Sequence, residues 1–170
     1  AWQIRAELVP SQRWLALTGT NGKTTTVEMA AAMLREGGIS AIACGNVGTT
    51  VIESVESPEN YEVLVLELSS FQLHWMREAS FVAAAILNIA QDHVDWHGTF
   101  NEYARVKGSI LDRSSTGLFN AGDPEVVNQA AHWQQCFYWA QRTCARLHYR
   151  RQRAHRDGFY RHGQLLHRNQ

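Results

Sequence analysis

Long apolar runs, lysines and cysteines are all scarce in this chain of 170 residues. No apolar run approaches the ~18 residues of a membrane-spanning helix, so an integral membrane protein is not expected. A charged segment followed by an apolar one is missing at the start, which argues against secretion. The three cysteines, Cys44, Cys136 and Cys144, are odd in number and lack metal-type pair spacing. We therefore expect reduced thiols in a cytoplasmic protein.

Lysine is rarer still, because only two of the sixteen basic residues are lysines, Lys23 and Lys107. Arginine serves wherever a cation is simply needed. A guanidinium cannot replace a compact ammonium or a nucleophilic amine. Both lysines are therefore candidates for a specific chemical role.

The formal net charge of zero hides a strong asymmetry. Residues 1–140 carry eight Lys and Arg against fifteen Asp and Glu, whereas residues 141–170 carry eight Arg against Asp157 alone. Asp157-Gly158 and His162-Gly163 are typical of turns, so a basic hairpin is predicted within 141–170. Polyanion binding stays open as an alternative, although no recognition motif supports nucleic-acid binding.

Strand and helix patterns alternate along most of the chain. Short apolar or β-branched runs predict strands at 14–18, 40–44, 62–68, 81–89, 117–120 and 136–140. Helical patterns follow Lys23 as far as Gly37-Gly38 and also occupy 51–55, 71–77, 100–111 and a segment starting at Asp123-Pro124. This alternation predicts an α/β fold with a mostly parallel open sheet flanked by helices.

A glycine-rich turn joins the first strand to the first long helix. Gly19-Thr20-Asn21-Gly22 is followed by Lys23, Thr24 and Thr25 at the helix start, the context of a phosphate-binding P-loop. Lys23 is expected to reach the β- and γ-phosphates of ATP, and Thr24 to ligate Mg²⁺. A plain strand–helix turn, in which the glycines supply only positive φ, is the weaker alternative.

Polar residues follow the other predicted strands, where an open α/β sheet binds its ligands. Asn46 follows the second strand, Glu67 ends the third, Asn88 ends the fourth and His93 follows it. Glu67 is interpreted as a Mg²⁺ ligand, the alternative being a structural carboxylate that caps the next helix. His93 is either a ligand of a second metal ion or a hydrogen-bonded loop histidine.

Four motifs together resemble the central, ATP-binding domain of the Mur ligase family. They are Gly19-Thr-Asn-Gly-Lys-Thr24, Glu67-Leu-Ser-Ser-Phe-Gln-Leu73, Asn88-Ile-Ala-Gln-Asp-His93 and Tyr103-Ala-Arg-Val-Lys107, in family order across roughly residues 1–125. The second string favours the family members that add D-glutamate.

The resemblance implies an ATP-dependent amide ligase of peptidoglycan precursor synthesis. ATP would phosphorylate the carboxylate of UDP-N-acetylmuramoyl-L-alanine, and the amine of D-glutamate would displace phosphate from that acyl phosphate. Another Mur-type step, a folylpolyglutamate-synthase-like ligase and a simple P-loop hydrolase or kinase are the alternatives. A monomer without membrane or nucleic-acid partners is expected.

The resemblance also assigns roles to individual residues. Lys23, Glu67, His93 and Lys107 would be catalytic. Thr24, Glu67, His93 and Lys107 would serve two Mg²⁺ ions, with Lys107 as a CO₂-derived carbamate, and Asn46, Ser69, Gln72 and His93 would line the sugar-nucleotide substrate. A carbamate explains why position 107 is not arginine, since a guanidinium cannot lose a proton to attack CO₂.

The resemblance further suggests a domain arrangement. Residues 1–12 would be the end of a linker or helix from a missing N-terminal UDP-binding domain. Residues 13–170 would be a central domain that stops before its adenine-contacting segment. We therefore expect this piece alone to be inactive as a ligase.

Overall fold

A computed structural model describes residues 1–131, 135–140 and 143–148 of the chain. The helices are α1 (Trp2–Leu8), α2 (Lys23–Glu36), α3 (Val51–Val55), α4 (Ser70–Trp75), α5 (Val94–His97), α6 (Phe100–Gly108) and α7 (Pro124–Ala130). The strands are β1 (Arg13–Thr18), β2 (Ala41–Gly45), β3 (Val63–Glu67), β4 (Ala83–Ile86), β5 (Gly117–Asn120), β6 (Gln135–Ala140) and β7 (Thr143–His148). Within the described ranges, no helix is both long and apolar enough to cross a membrane.

The seven described strands form one sheet in the order β2-β3-β1-β4-β5-β6-β7. Every neighbouring pair from β2 to β6 is parallel, and β7 alone runs antiparallel, beside β6. The predicted α/β class with a mostly parallel sheet is confirmed. Strand β7 lies in the segment predicted to be a basic hairpin, but Asp157-Gly158 and His162-Gly163 lie outside the described residues.

Apolar side chains cover both faces of the sheet, which is why β3 is apolar at nearly every position. Leu64 and Leu66 pack on one face with side chains from α6 and α7, whereas Val63 and Val65 pack on the other with Val27 of α2. Residues Val63 through Glu67 are all buried. The strand therefore ends with its one carboxylate at the buried edge of the sheet.

Short polar signals at the helix termini explain where the helices begin. Ser69 and Thr50 each close a capping box, and Thr99 accepts from the backbone N–H of Glu102. Asp123 caps α7, which has Pro124 in its first turn. Each such cap typically contributes about 1 kcal/mol.

Several predicted boundaries were wrong. The strand predicted over 81–89 is limited to Ala83–Ile86, because Leu87 N–H bonds to Thr18 O and the chain then turns toward the P-loop. The helix predicted over 100–111 ends at Gly108 and gives way to a 3₁₀ turn at Leu111–Arg113. Helix α5 was not predicted, since its four residues are too few to show a helical period.

Candidate active site

The loop between β1 and α2 has the backbone shape of a phosphate cradle. Gly22 adopts φ 79° and is the N-cap of α2, so a side chain there would be strained. The Lys23 Nζ donates to Thr20 O across 3.0 Å, which folds the ammonium back over the loop. Backbone N–H groups and the positive end of a 14-residue helix thus face the same space.

Asn88 clamps this loop from the neighbouring strand. Its Oδ1 accepts from Asn21 N–H at 2.8 Å, and its Nδ2 donates to Asn21 O at 3.0 Å. Thr20 makes a second link, because its Oγ1 donates to Ala90 O, accepts from Ala90 N–H and lies 3.0 Å from the Tyr103 hydroxyl. The loop is therefore held in shape by residues that follow β4.

Glu67 and Thr24 meet beside the loop. Thr24 Oγ1 donates to Glu67 Oε2 at 2.7 Å, and Asn46 Nδ2 donates to Glu67 Oε1 at 3.2 Å. The Glu67 side chain is buried, and within the described residues no lysine or arginine pairs with it. The cap of α4 is Ser69, so the helix-capping alternative for Glu67 is wrong.

Lys107 enters the site from α6 and is 2% exposed. Its Nζ donates to Gly19 O at 2.8 Å and to Thr18 Oγ1 at 3.3 Å, and it lies 4.9 Å from the centre of the Tyr103 ring. Burial, with added repulsion from Lys23, lowers the pKa of Lys107 to about 7. A substantial fraction of neutral amine therefore exists near neutral pH.

A cavity of about 120 Å³ lies between the phosphate loop, β2, α4 and α6. Six of the residues predicted from sequence line it: Gly19, Lys23, Asn46, Ser69, His93 and Lys107. Four others line it that the sequence prediction did not assign to the site: Ser70, Phe71, Asp92 and Tyr103.

His93 lies at the cavity wall in a left-handed backbone conformation, φ 48°. Its ring nitrogen is 3.4 Å from Asp92 Oδ2, its centroid is 4.9 Å from that of Phe71, and its side chain is about half exposed. Non-glycine residues with positive φ are uncommon and concentrate at functional sites. The arrangement places His93 on the lining of the cavity that Lys23 and Lys107 also line.

A divalent cation fits the Thr24–Glu67 pair, because Mg²⁺ uses one or two protein oxygens and keeps waters and phosphate oxygens for the rest. The described residues hold no cluster of three or more His, Cys, Asp and Glu side chains that could bind a metal alone. Lys23 of the phosphate loop and the buried amine residue Lys107 thus line one polar cavity, and the buried carboxylate of Glu67 is joined to that lining through its hydrogen bond with Asn46.

The sequence of residues 17–162 matches the protein-family model of the Mur ligase middle domain. The chain belongs to this family. A UDP-N-acetylmuramoylalanine–D-glutamate ligase of Thermobifida fusca is 49% identical over 128 residues, which cover 74% of this chain and 27% of the relative. The enzyme of the same name from Corynebacterium efficiens is 52% identical over 117 residues, covering 69% and 24%.

A MurF ligase from Thermotoga maritima, solved in complex with ADP, shares the fold with a TM-score of 0.67 at 21% identity. The alignment covers 84% of this chain and 35% of that one. This Mur ligase middle domain therefore spans about a quarter of the length of the curated relatives described above.

The remaining predicted residues of this Mur ligase middle domain lie around the cavity rather than along its lining. The Gln72 Oε1 accepts from the backbone N–H and the hydroxyl of Ser69, so this atom is used in the capping box. Thr25 follows Thr24 on the exposed side of α2. Their predicted roles in substrate and ATP binding stay predictions.

The residues that sequence reasoning missed share one property, which is that distant elements bring them together. Ser70 Oγ is 2.9 Å from Nε2 of His97, twenty-seven residues away. Burial, with repulsion from His74, lowers the pKa of His97. The aromatic character of Phe71 and Tyr103 within the motifs was the only local signal for these positions.

Proposed function

We propose that this chain is the ATP-binding domain of a ligase that joins D-glutamate to UDP-N-acetylmuramoyl-L-alanine, giving ADP and phosphate, in peptidoglycan precursor synthesis. The observation that carries the proposal is that the phosphate-loop lysine, Lys23, lines the same cavity as His93 and Lys107. A simple nucleotide hydrolase needs the loop but not His93 and Lys107. The printed name of the relatives supplies the identity of the substrates.

In the first step, a carboxylate oxygen of the sugar nucleotide forms a bond to the γ-phosphorus, and the bond to ADP breaks. The loop N–H groups and the Lys23 ammonium neutralise charge on the transferred group. The clamp from Asn88 keeps these donors in place before ATP binds, so little reorganisation is needed.

In the second step, the D-glutamate amine attacks the acyl carbon, and inorganic phosphate leaves with the bonding electron pair. The attacking amine must lose a proton, and Asp92 provides a carboxylate on the cavity lining that can accept it. Phosphate is held by the same loop donors that stabilised it in the first step.

The oxygens of Thr24 and Glu67 would hold the first Mg²⁺, which supplies charge neutralisation for the phosphates. Asn46 keeps the Glu67 carboxylate oriented through its 3.2 Å hydrogen bond. His93 and Lys107 would serve a second Mg²⁺, and Lys107 would do so as a carbamate. The neutral Lys107 amine attacks CO₂ and releases a proton, so its lowered pKa favours the modification.

Since the proposed reaction consumes intracellular metabolites such as ATP, we propose a cytoplasmic protein. We also propose that it acts as a monomer.

The test of the function is phosphate release from ATP by the intact gene product, given UDP-N-acetylmuramoyl-L-alanine and a panel of amino acids. Release that requires both the sugar nucleotide and D-glutamate is the expected result. Dependence on another amino acid or acceptor would reassign the protein to another Mur-type ligase step or to a folylpolyglutamate-synthase-like ligase. Turnover that is indifferent to both would leave only a hydrolase and overturn the proposal.

A further inference from the structure

Ser70 lines the cavity although the residue is almost fully buried. Its exposed fraction is 2%, and it lines the cavity beside Ser69 and Phe71. In the part of the chain that the structure describes, the hydroxyl has one hydrogen-bonding partner, Nε2 of His97 at 2.9 Å. The direction of that hydrogen bond decides what the hydroxyl offers to a ligand.

The protonation state of His97 fixes the direction. The residue is 9% exposed, and its Nδ1 is buried with no hydrogen-bonding partner among the described residues. A ring protonated only at Nδ1 would bury an N–H group without an acceptor, which is costly. Both other states, the Nε2–H tautomer and the imidazolium, carry a proton on Nε2. In each of them, His97 donates and Ser70 Oγ accepts.

The packing around His97 preserves this arrangement. Its ring stacks on Phe71 with an interplanar angle of 20°, and the Trp96 ring lies 4.6 Å away, centroid to centroid, at 75°. Tyr103 closes a further side, with its centroid at 5.4 Å. A 180° rotation about the Cβ–Cγ bond would place Cε1, not Nδ1, near Ser70, and the three aromatic contacts oppose the larger shift of the ring that would bring Nδ1 there.

We infer that the Ser70 hydroxyl hydrogen points into the cavity and donates to an anionic oxygen of the bound substrates, and that His97 is the positioning residue that fixes this direction. The identity of the oxygen rests on the proposed function: it belongs either to the carboxylate that is phosphorylated or to the phosphoryl group transferred to it. The ammonium of Lys23 on the same lining favours an anion, and Asp92 is the one acidic residue among the described residues that line the cavity.

The first experiment reads the direction of the hydrogen bond without any activity. Long-range proton–nitrogen correlation spectra of the histidine side chains distinguish Nε2–H from Nδ1–H, and a His97→Gln sample assigns the signals in the intact gene product. A proton on Nε2 is expected. A ring protonated only at Nδ1 would overturn the inference while leaving the proposed function standing.

The second experiment measures KM and kcat of variants of the intact gene product. Ser70→Ala should raise the KM for one substrate about 10- to 100-fold, as expected for a lost hydrogen bond to a charged group, and leave the other KM unchanged. A raised KM for the sugar nucleotide assigns the oxygen to the carboxylate, and a raised KM for ATP assigns it to the phosphoryl group. His97→Phe should shift the same constant.

Two further variants, His97→Gln and the combined Ser70→Ala and His97→Phe, distinguish a positioning role of His97 from general damage to the structure. His97→Gln, whose side-chain amide can donate from about the place of Nε2, should restore the constant to within a few-fold of wild type. Combining Ser70→Ala with His97→Phe should add little to either change, because both remove one interaction. Unchanged constants in Ser70→Ala, an equal rise in both KM values or fully additive effects would contradict the inference. Wild-type protein that makes no amide would instead contradict the proposed function.

Discussion

The Thr24 hydroxyl donates to the Glu67 carboxylate across 2.7 Å, joining the first turn of α2 to the end of β3. Hydrogen bonds to Thr24 and Asn46 hold a buried negative charge that has no cationic partner in the described part of the chain. Such a charge is costly to bury alone, and a bound divalent cation offsets the cost. This cost supports our proposal that the pair serves a metal ion that arrives with the nucleotide.

Glu67→Gln should separate metal binding from folding. The amide keeps the shape and removes the charge, so the free energy of unfolding without Mg²⁺ should fall by no more than about 1 kcal/mol or should rise. Binding of Mg²⁺ with ADP should weaken about 10- to 100-fold, since a charged ligand is lost. Calorimetric titration and thermal unfolding with and without Mg²⁺ and ADP measure both quantities.

Glu62→Gln is the matched control, because Glu62 is an exposed residue just before the same strand whose carboxylate accepts from Ser40 N–H. It should leave metal and nucleotide binding unchanged. Equal Mg²⁺-dependent binding in Glu67→Gln and wild type would contradict the assignment of Glu67 as a metal ligand.

Gly45→Ala should be strongly destabilising. Gly45 has φ 123°, and a Cβ there would lie 2.4 Å from the backbone oxygen of Glu67. We expect a loss of roughly 3 kcal/mol in the free energy of unfolding, with displacement of the Glu67 end of β3. Denaturant unfolding, read by circular dichroism, measures the loss.

Gly38→Ala provides the comparison, since Gly38 also has positive φ, 80°, but a Cβ there would meet nothing within 4 Å. Its cost should be about 1 kcal/mol, which reflects backbone strain alone. Similar losses in the two variants would show that close approach to Glu67 is not what requires the glycine at position 45.

Asn88→Ala should weaken nucleotide binding without unfolding the domain. Both hydrogen bonds between Asn88 and the backbone of Asn21 are lost, so the loop must be ordered when ATP binds. We expect the KM for ATP to rise about tenfold. Asn128→Ala, at an exposed site on α7, should leave it unchanged. An unaltered KM for ATP in Asn88→Ala would mean that the loop keeps its shape without the clamp.

Lys107→Met should change how stability depends on pH. The pKa of Lys107 is lowered from 10.5 to about 7 in the folded chain, so between these values the unfolded chain binds a proton that the folded chain does not. The contribution of the neutral amine to the free energy of unfolding is therefore complete above pH 10.5, and it is lost as the pH falls to about 7. It adds at most about 1.4 kcal/mol per pH unit to the slope of stability against pH.

The measurement is denaturant unfolding of both proteins from pH 7 to pH 10 in bicarbonate-free buffer. Wild type should gain stability with rising pH relative to Lys107→Met, because methionine has no proton to bind. Parallel stability curves for the two proteins would show that the Lys107 amine is not held neutral by burial. Bicarbonate should alter only the wild-type curve if the amine reacts with CO₂.

Local sequence determined the elements that carry the chemistry. The β1 run, the glycines and Lys23-Thr24 predict a strand, a phosphate loop and a helix because each follows from the propensities of adjacent residues. The apolar run before Glu67 predicts a doubly covered strand with a carboxylate at its end. The capping signals at Ser69 and Asp123 likewise act within one helical turn.

The tertiary structure alone decided which of these elements face each other. Strand order brings β3 and β4 to either side of β1, and so brings Asn88 to the loop and Glu67 to Thr24. The burial of Lys107, and with it the lowered pKa, depends on how α6 lies over the end of β1, since an isolated helical lysine looks solvated. Ser70 and His97 are 27 residues apart, so no helix or strand periodicity predicts their hydrogen bond. Propensity acts between neighbours in the chain, whereas burial and partner choice depend on packing between distant segments.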